Sequence, residues 1–235
     1  IERNGSLLLE IVNDILDYSK IEAGKVEIHR ERFEAHRLVL EVSAMVRIRA
    51  VEKGLDFDVQ FEGESPRQID SDPKRLKQIL VNLLGNAIKF TESGRVKLVV
   101  RYVEGSLAFD VIDTGIGITA EQQERLFQPF TQGDASANRQ YGGTGLGLAI
   151  SYRLAKMLGG RIDVDSKIGY GTRITCVIDA GDVSSTDFFT PSIASLSDSN
   201  EVRNAAEIRL NLRVLIADDR RDIRLLAGHF LRRAG

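Results

Sequence analysis

Apolar positions along the chain fall into two rhythms. From Ser6 to Gly24, Leu8, Ile11, Ile15 and Tyr18 recur at helical spacing, and Gly24 reads as the stop. A short alternating run, KVEIHRERF, precedes a second predicted helix that reaches Gly54. LDFDVQF alternates with period two, the pattern of a half-buried strand. SDPKRLKQILVNLLGNAIKF predicts a strong helix, with Asp72 as N-cap and Pro73 at the first helical position. RVKLVVRYV and SLAFDVID predict two strands joined tightly at EGS. A helix TAEQQERLF follows, then a polar, glycine-bearing loop from Thr131 to Gly147. LAISYRLAKML is helical again and stops at Gly159 and Gly160; RIDVDS and TRITCVIDA predict a final hairpin. From Gly181 to Asn211 the chain is rich in Ser, Asp and Asn without periodicity, which reads as a linker. The end, LRVLIADDRRDIRLLAGHFLRRAG, predicts an apolar strand, two aspartates and a helix.

Composition narrows the function little but excludes some classes. With 32 Lys and Arg against 34 Asp and Glu, the net charge of −2 gives no electrostatic case for nucleic acid or an anionic membrane. No apolar run approaches the roughly 20 residues of a membrane helix. The single cysteine, Cys176, has no internal partner, which fits a reducing compartment, and its alternating strand predicts a core position. The chain opens and stops in mid-pattern, as expected of a segment of something longer.

Three stretches carry candidate chemistry. In the helix from Pro73, Leu76, Ile79, Leu80, Leu83 and Ala87 share one face, while Asn82, Asn86 and Lys89 stack on a second, roughly 120° away. An amide oxygen suits Mg²⁺ and an ammonium suits phosphate, although such a face is more often merely solvated. In DTGIGI, Asp113 ends an apolar strand before two alternate glycines, placing a carboxylate where it can accept from an exocyclic amine. GGTGLGLAIS runs from a glycine-rich loop into a helix, a junction suited to polyphosphate. It matches neither the lysine-bearing phosphate loop nor G-x-G-x-x-G.

In this order the three resemble the N box and the two glycine boxes of the ATP-binding domain of sensor histidine kinases, a fold shared with DNA gyrase and MutL. LFQPF, with Phe127 and Phe130, is similar to the family's F box, and GYGT, Gly169 to Thr172, to its last glycine box. NDILDYSKIEAGK resembles the end of the second dimerisation helix. The resemblance implies an α/β (α+β) two-layer sandwich: a mixed sheet covered on one face by helices, with ATP between the helix layer and a mobile lid. It implies that residues 1–24 end a dimerisation helix, 25–181 form the catalytic domain, 182–211 a linker, and 212–235 a truncated receiver start.

The family's roles fall on matching positions. Asn86 would coordinate Mg²⁺, Asn82 would support the phosphate side, and Lys89 would neutralise phosphate charge. Asp113 would hold the adenine amine, with Gly115 and Gly117 letting the base lie close and Thr172 completing the contact through a water. The lid residues Gly143, Thr144, Gly145, Leu146 and Gly147 would close on the triphosphate. Where many sensor kinases carry an arginine after the F box, this chain has Gln132; Arg139, further along the lid, is the substitute candidate.

LRVLIADD, with Asp218 and Asp219, looks like the first strand of a receiver domain, so the resemblance points to a hybrid kinase of a two-component system. The partners implied are a histidine-bearing dimerisation domain, of the same or a partner kinase, and a downstream receiver, response regulator or phosphotransfer domain. The setting implied is cytoplasmic, with a dimeric parent at the inner membrane and this segment monomeric. His29, His36 and His229 lack the surroundings of the phosphate-accepting histidine, so the segment is expected not to autophosphorylate. The rival is a silent nucleotide- or partner-binding module that docks on another kinase; an ATP-driven clamp is disfavoured by the dimerisation-helix remnant and the receiver-like tail.

Overall fold

The computed structural model describes residues 2–131 and 145–191, with side chains from Val12 onward. Helices are α1 (Glu2–Glu22), α2 (Ala35–Glu52), α3 (Pro73–Phe90), α4 (Ala120–Arg125) and α5 (Gly147–Met157). Strands are β1 (Glu31–Phe33), β2 (Asp56–Glu62), β3 (Ser65–Pro66), β4 (Ile69–Ser71), β5 (Arg95–Val103), β6 (Ser106–Asp113), β7 (Arg161–Lys167), β8 (Gly171–Asp179) and β9 (Phe188–Phe189). The receiver-like stretch with Asp218, Asp219 and His229 lies outside the described residues.

The main sheet has the order β2-β5-β6-β8-β7. β2 runs parallel to β5 and every other pair is antiparallel, so the sheet is mixed as expected. Period two sends Val96, Leu98 and Val100 of β5, and Leu107, Phe109 and Val111 of β6, to one buried face. The helices cover that face, with α3 between α2 and α5. Leu76, Ile79, Leu80 and Leu83 of α3 are wholly buried, as the helical period predicts. Cys176 lies in the same core, and burial pushes its thiol up to about 12, which leaves it unreactive at neutral pH.

Asp72 caps α3 with one oxygen, accepting from Arg75 N–H at 3.0 Å, and its other oxygen accepts from His29 N–H at 3.0 Å. The alternating run around His29, whose period reads as a strand, pairs over fewer residues than its alternation suggests. Only Glu31–Phe33 pair, because their partner β4 offers three residues. His29 stands in extended chain before it. His36, one residue inside α2, is buried, and desolvation lowers its pKa against the opposing pull of Glu34.

Residues 182–191, within the stretch expected as linker, are held to the domain. Arg67 N–H donates to Asp187 at 2.8 Å, β9 pairs with β3, and Phe189 meets the His36 ring edge-on at 4.8 Å. At the other end, α1 docks by its last turns. Gln78 donates to Asp17 at 2.9 Å, and Arg153 pairs with Glu22 and lies 5.4 Å over the Tyr18 ring. Val12, Ile15 and Leu16 of α1 stay exposed.

Asp72→Ala removes an N-cap and the partner of His29 together. The expected loss is about 1–2 kcal/mol of stability, read as a lower urea midpoint at unchanged slope.

Candidate functional site

A helix end leaves its last four carbonyls without intrahelical donors. In α3 these are Ala87, Ile88, Lys89 and Phe90, and each has a partner. Thr91 Oγ1 donates to Ala87 at 2.7 Å, and Lys53 Nζ donates to Ile88 and Lys89, both at 2.7 Å. Phe90 O accepts from Ile116 N–H at 3.3 Å, which ties the helix end to the DTGIGI loop. Burial lowers the pKa of Lys53, the cation that performs the double cap.

Along the polar face of α3, Asn82, Asn86 and Lys89 are half-buried. Asn82 Nδ2 donates to Ser151 Oγ of α5 at 2.8 Å, and Asn86 Nδ2 donates to Asn82 Oδ1 at 3.4 Å. Asn82 is thus engaged on both sides within the protein and orients Asn86, whose amide oxygen is its remaining acceptor. Lys89 Nζ sits 4.9 Å over the Phe90 ring. Among the described residues no three His, Cys, Asp or Glu side chains cluster to hold a metal. The donor set is one hard amide oxygen, which suits Mg²⁺ that keeps most of its shell as water and ligand oxygens.

Asp113 ends β6 directly opposite Thr172 of β8. Its carboxylate accepts from Gly115 N–H at 2.8 Å and from the Thr172 backbone. Burial raises its pKa, and those two N–H groups oppose the rise without cancelling it. The nearby glycines serve the main chain. A Cβ at Gly115 would overlap Phe90 O, and one at Gly117, whose φ is +73°, would overlap Lys167 O. They bring backbone to backbone, a reason that differs from the expected approach of a base.

A serine and a glutamine tie the loop after Asp113 to β7 and β8, and both escaped the sequence reading. Ser166 Oγ accepts from Ile118 N–H at 2.9 Å, donates to Gly171 O at 2.9 Å, and lies 2.8 Å from Thr172 Oγ1. Gln123 of α4 donates to the carbonyls of Ile118 and Ser166, each at 3.0 Å. The alternation of RIDVDSK held the clue, since it puts a hydroxyl on the same face as Ile162 and Val164. Ser151 sits within the quoted GGTGLGLAIS stretch, while nothing local marked Lys53.

Of the predicted lid, Arg139, Gly143 and Thr144 lie outside the described residues, as does Gln132. Its two ends meet, for a Cβ on Gly145 would come within 2.9 Å of Thr131 O. Leu146 is wholly buried, packed in the core beneath the start of α5. α5 begins without a side-chain cap, and Gly147 lets its first turn press against the Asn82 amide. Phe127 stacks on Tyr152 of α5 at 5.0 Å, and Phe130 meets Tyr18 of α1 edge-on at 6.3 Å. The first turn of α5 meets the amide-bearing face of α3 at Asn82, and the loop after Asp113 meets that helix at its last carbonyl.

Residues 71–182 match the family model described as histidine kinase-, DNA gyrase B- and HSP90-like ATPase. Hybrid signal transduction histidine kinase B of Dictyostelium discoideum is 41% identical over 195 residues, covering 81% of this chain and 10% of that protein. The circadian input-output histidine kinase CikA of Synechococcus elongatus is 44% identical over 181 residues, covering 74% of this chain and 24% of that protein. The crystal structure of full-length ShkA in complex with AMPPNP aligns with a TM-score of 0.68 and 29% identity, covering 99% of this chain and 45% of that one. The chain therefore spans a quarter or less of the length of these two curated relatives.

The raised pKa of Asp113 means that the native state holds this proton to higher pH than the unfolded chain. Its contribution is present below the unfolded value and is lost as pH rises through the folded one. Asp113→Asn keeps an acceptor for Gly115 but carries no charge to bury. Urea denaturation is expected to show the variant more stable than wild type at pH 7, with the difference shrinking as pH falls.

Proposed function

Because this chain belongs, over residues 71–182, to the histidine kinase-, DNA gyrase B- and HSP90-like ATPase family, we propose that it binds Mg-ATP and donates the γ-phosphoryl group to a histidine. That histidine belongs to a dimerisation domain of the same or a partner kinase. The observation that carries the reading is the joining of Asp113 to the α3 shelf: Ile116, in the Asp113 loop, bonds the last carbonyl of the helix that bears Asn86 and Lys89.

When bound, Mg-ATP supplies the transferable phosphoryl group and the cation that neutralises it. Asn86 contributes its amide oxygen to the metal, held in direction by Asn82. Lys89, and Arg139 of the lid, neutralise phosphate charge. The main chain from Gly143 through Thr144, Gly145 and Leu146 to Gly147 cradles the phosphates at the capless end of α5. Asp113 accepts from the adenine amine, with Thr172 beside it and the turns of Gly115 and Gly117 shaping the wall. The protein's share is positioning and charge neutralisation.

In the full protein the phosphoryl group passes on to a receiver, a response regulator or a phosphotransfer domain. The reading places the domain in the cytoplasm, with a dimeric parent at the inner membrane. The exposed Val12, Ile15 and Leu16 of α1 suit a helix that packs against others there. None of the described helices is long and apolar enough to cross a membrane.

Calorimetry with Mg-ATP tests the binding. Asp113→Ala is expected to weaken it about 10- to 100-fold, as loss of a charged hydrogen bond does, and Asn86→Ala to remove its dependence on Mg²⁺. Mixing the chain with ³²P-ATP and a purified histidine-bearing dimerisation domain then tests transfer. Tight binding without transfer favours the silent docking module, and absence of binding overturns the ATP reading.

A further inference from the structure

Ser166 has one hydroxyl hydrogen and two lone pairs, and its neighbours assign all three. Gly171 O accepts only, so the hydrogen of Ser166 goes there, at 2.9 Å. Ile118 N–H donates only, so it takes one lone pair, at 2.9 Å. The Thr172 hydroxyl, 2.8 Å away, then bonds Ser166 only as the donor to the second lone pair. Thr172 thereby spends its single hydrogen on Ser166 and has lone pairs alone to offer a ligand. Beside it in register stands the Asp113 carboxylate, also an acceptor. Gln123 holds the frame by bonding the carbonyls of Ile118 and Ser166.

From this count we propose that Ser166 is a specificity-determining positioning residue: by fixing the Thr172 proton it makes the base pocket acceptor-only and selects a 6-amino over a 6-oxo purine. The inference rests on the ATP-binding reading above. It works for a direct or a water-bridged contact. A water shared by Thr172 and Asp113 donates both its hydrogens to the protein and keeps only lone pairs for the base. An exocyclic amine satisfies those lone pairs, whereas a 6-oxo group meets acceptor with acceptor. In Ser166→Ala the Thr172 hydroxyl loses its fixed acceptor and is free to turn and donate to a 6-oxo group.

The test is the ratio of Kd values for Mg-ITP and Mg-ATP, measured by calorimetry on the chain as it stands. ITP differs from ATP only at the purine 6-position and the adjoining ring nitrogen. Ser166→Ala is expected to reduce the wild-type preference for ATP about tenfold, the worth of one buried polar mismatch. Ser166→Thr, which keeps the hydroxyl, is expected to hold the preference within about twofold. A general loosening of the fold would weaken both nucleotides alike and leave the ratio unmoved.

Thr172→Val supplies an independent arm should Ser166→Ala fail to fold. It removes the acceptor itself, is expected to lower the ratio to a similar extent, and should leave nothing further for Ser166→Ala to remove in the double variant. A wild type that prefers ATP while Thr172→Val or folded Ser166→Ala keeps that preference overturns the inference and leaves ATP binding intact. A wild type that binds neither nucleotide overturns the ATP reading itself, and this inference with it.

Discussion

The arrangement hangs on the carbonyl end of α3. A buried helix terminus without partners is costly, and here four hydrogen bonds from three donor groups remove that cost: one from Thr91, two from Lys53 and one from Ile116. The last of these comes from the loop that follows the strand bearing Asp113. Satisfying the helix end therefore fixes where that loop runs, and with it the distance between the amide-bearing face of α3 and the carboxylate of β6. One requirement of backbone chemistry sets the geometry of two otherwise independent pieces of the site.

The pocket wall follows the same economy on a smaller scale. Asp113, Thr172, Ser166 and Ile118 come from β6, β8, β7 and the loop between β6 and α4, so two sequence-local pairs, Asp113 with Ile118 and Ser166 with Thr172, meet from distant parts of the chain. Their hydrogen bonds leave no rotor undecided, which is how a half-buried polar cluster keeps a single arrangement. The carboxylate is the exception. It is retained in a partly desolvated place that raises its pKa, where a neutral amide would be easier to keep. Carboxylates shifted in this way gather at ligand sites, which makes Asp113 a candidate for one.

Much of this was legible in the chain itself. Period and capping residues placed α3 with its N-cap, the β5–β6 pair and the β7–β8 hairpin, because each is a local pattern with a local cause; the mixed sheet followed only from the family resemblance. The placements of Asn86 and Asp113 were approachable for the same reason: one is set by helical phase, the other by the end of a strand. What stayed hidden were contacts whose cause lies far away in sequence. Lys53 closes a helix that ends 37 residues later, Ser166 reaches back 48 residues to Ile118, and Phe189 turns back onto His36. The short strand near His29 was overread because alternation announces a strand's faces but not the length of its partner.

Gly115, Gly117 and Gly171 stand where a side chain would strike a main-chain carbonyl: that of Phe90, of Lys167 and of Asp113. A side chain in the way can rotate, but a carbonyl in a helix end or a strand cannot. These glycines are therefore demanded by the architecture whether or not anything binds. A domain of this build that had lost its ligand would still have to keep them, while Asn86 and Asp113 would be released to drift. The glycines thus answer to the backbone they let through, and their presence says nothing by itself about a ligand.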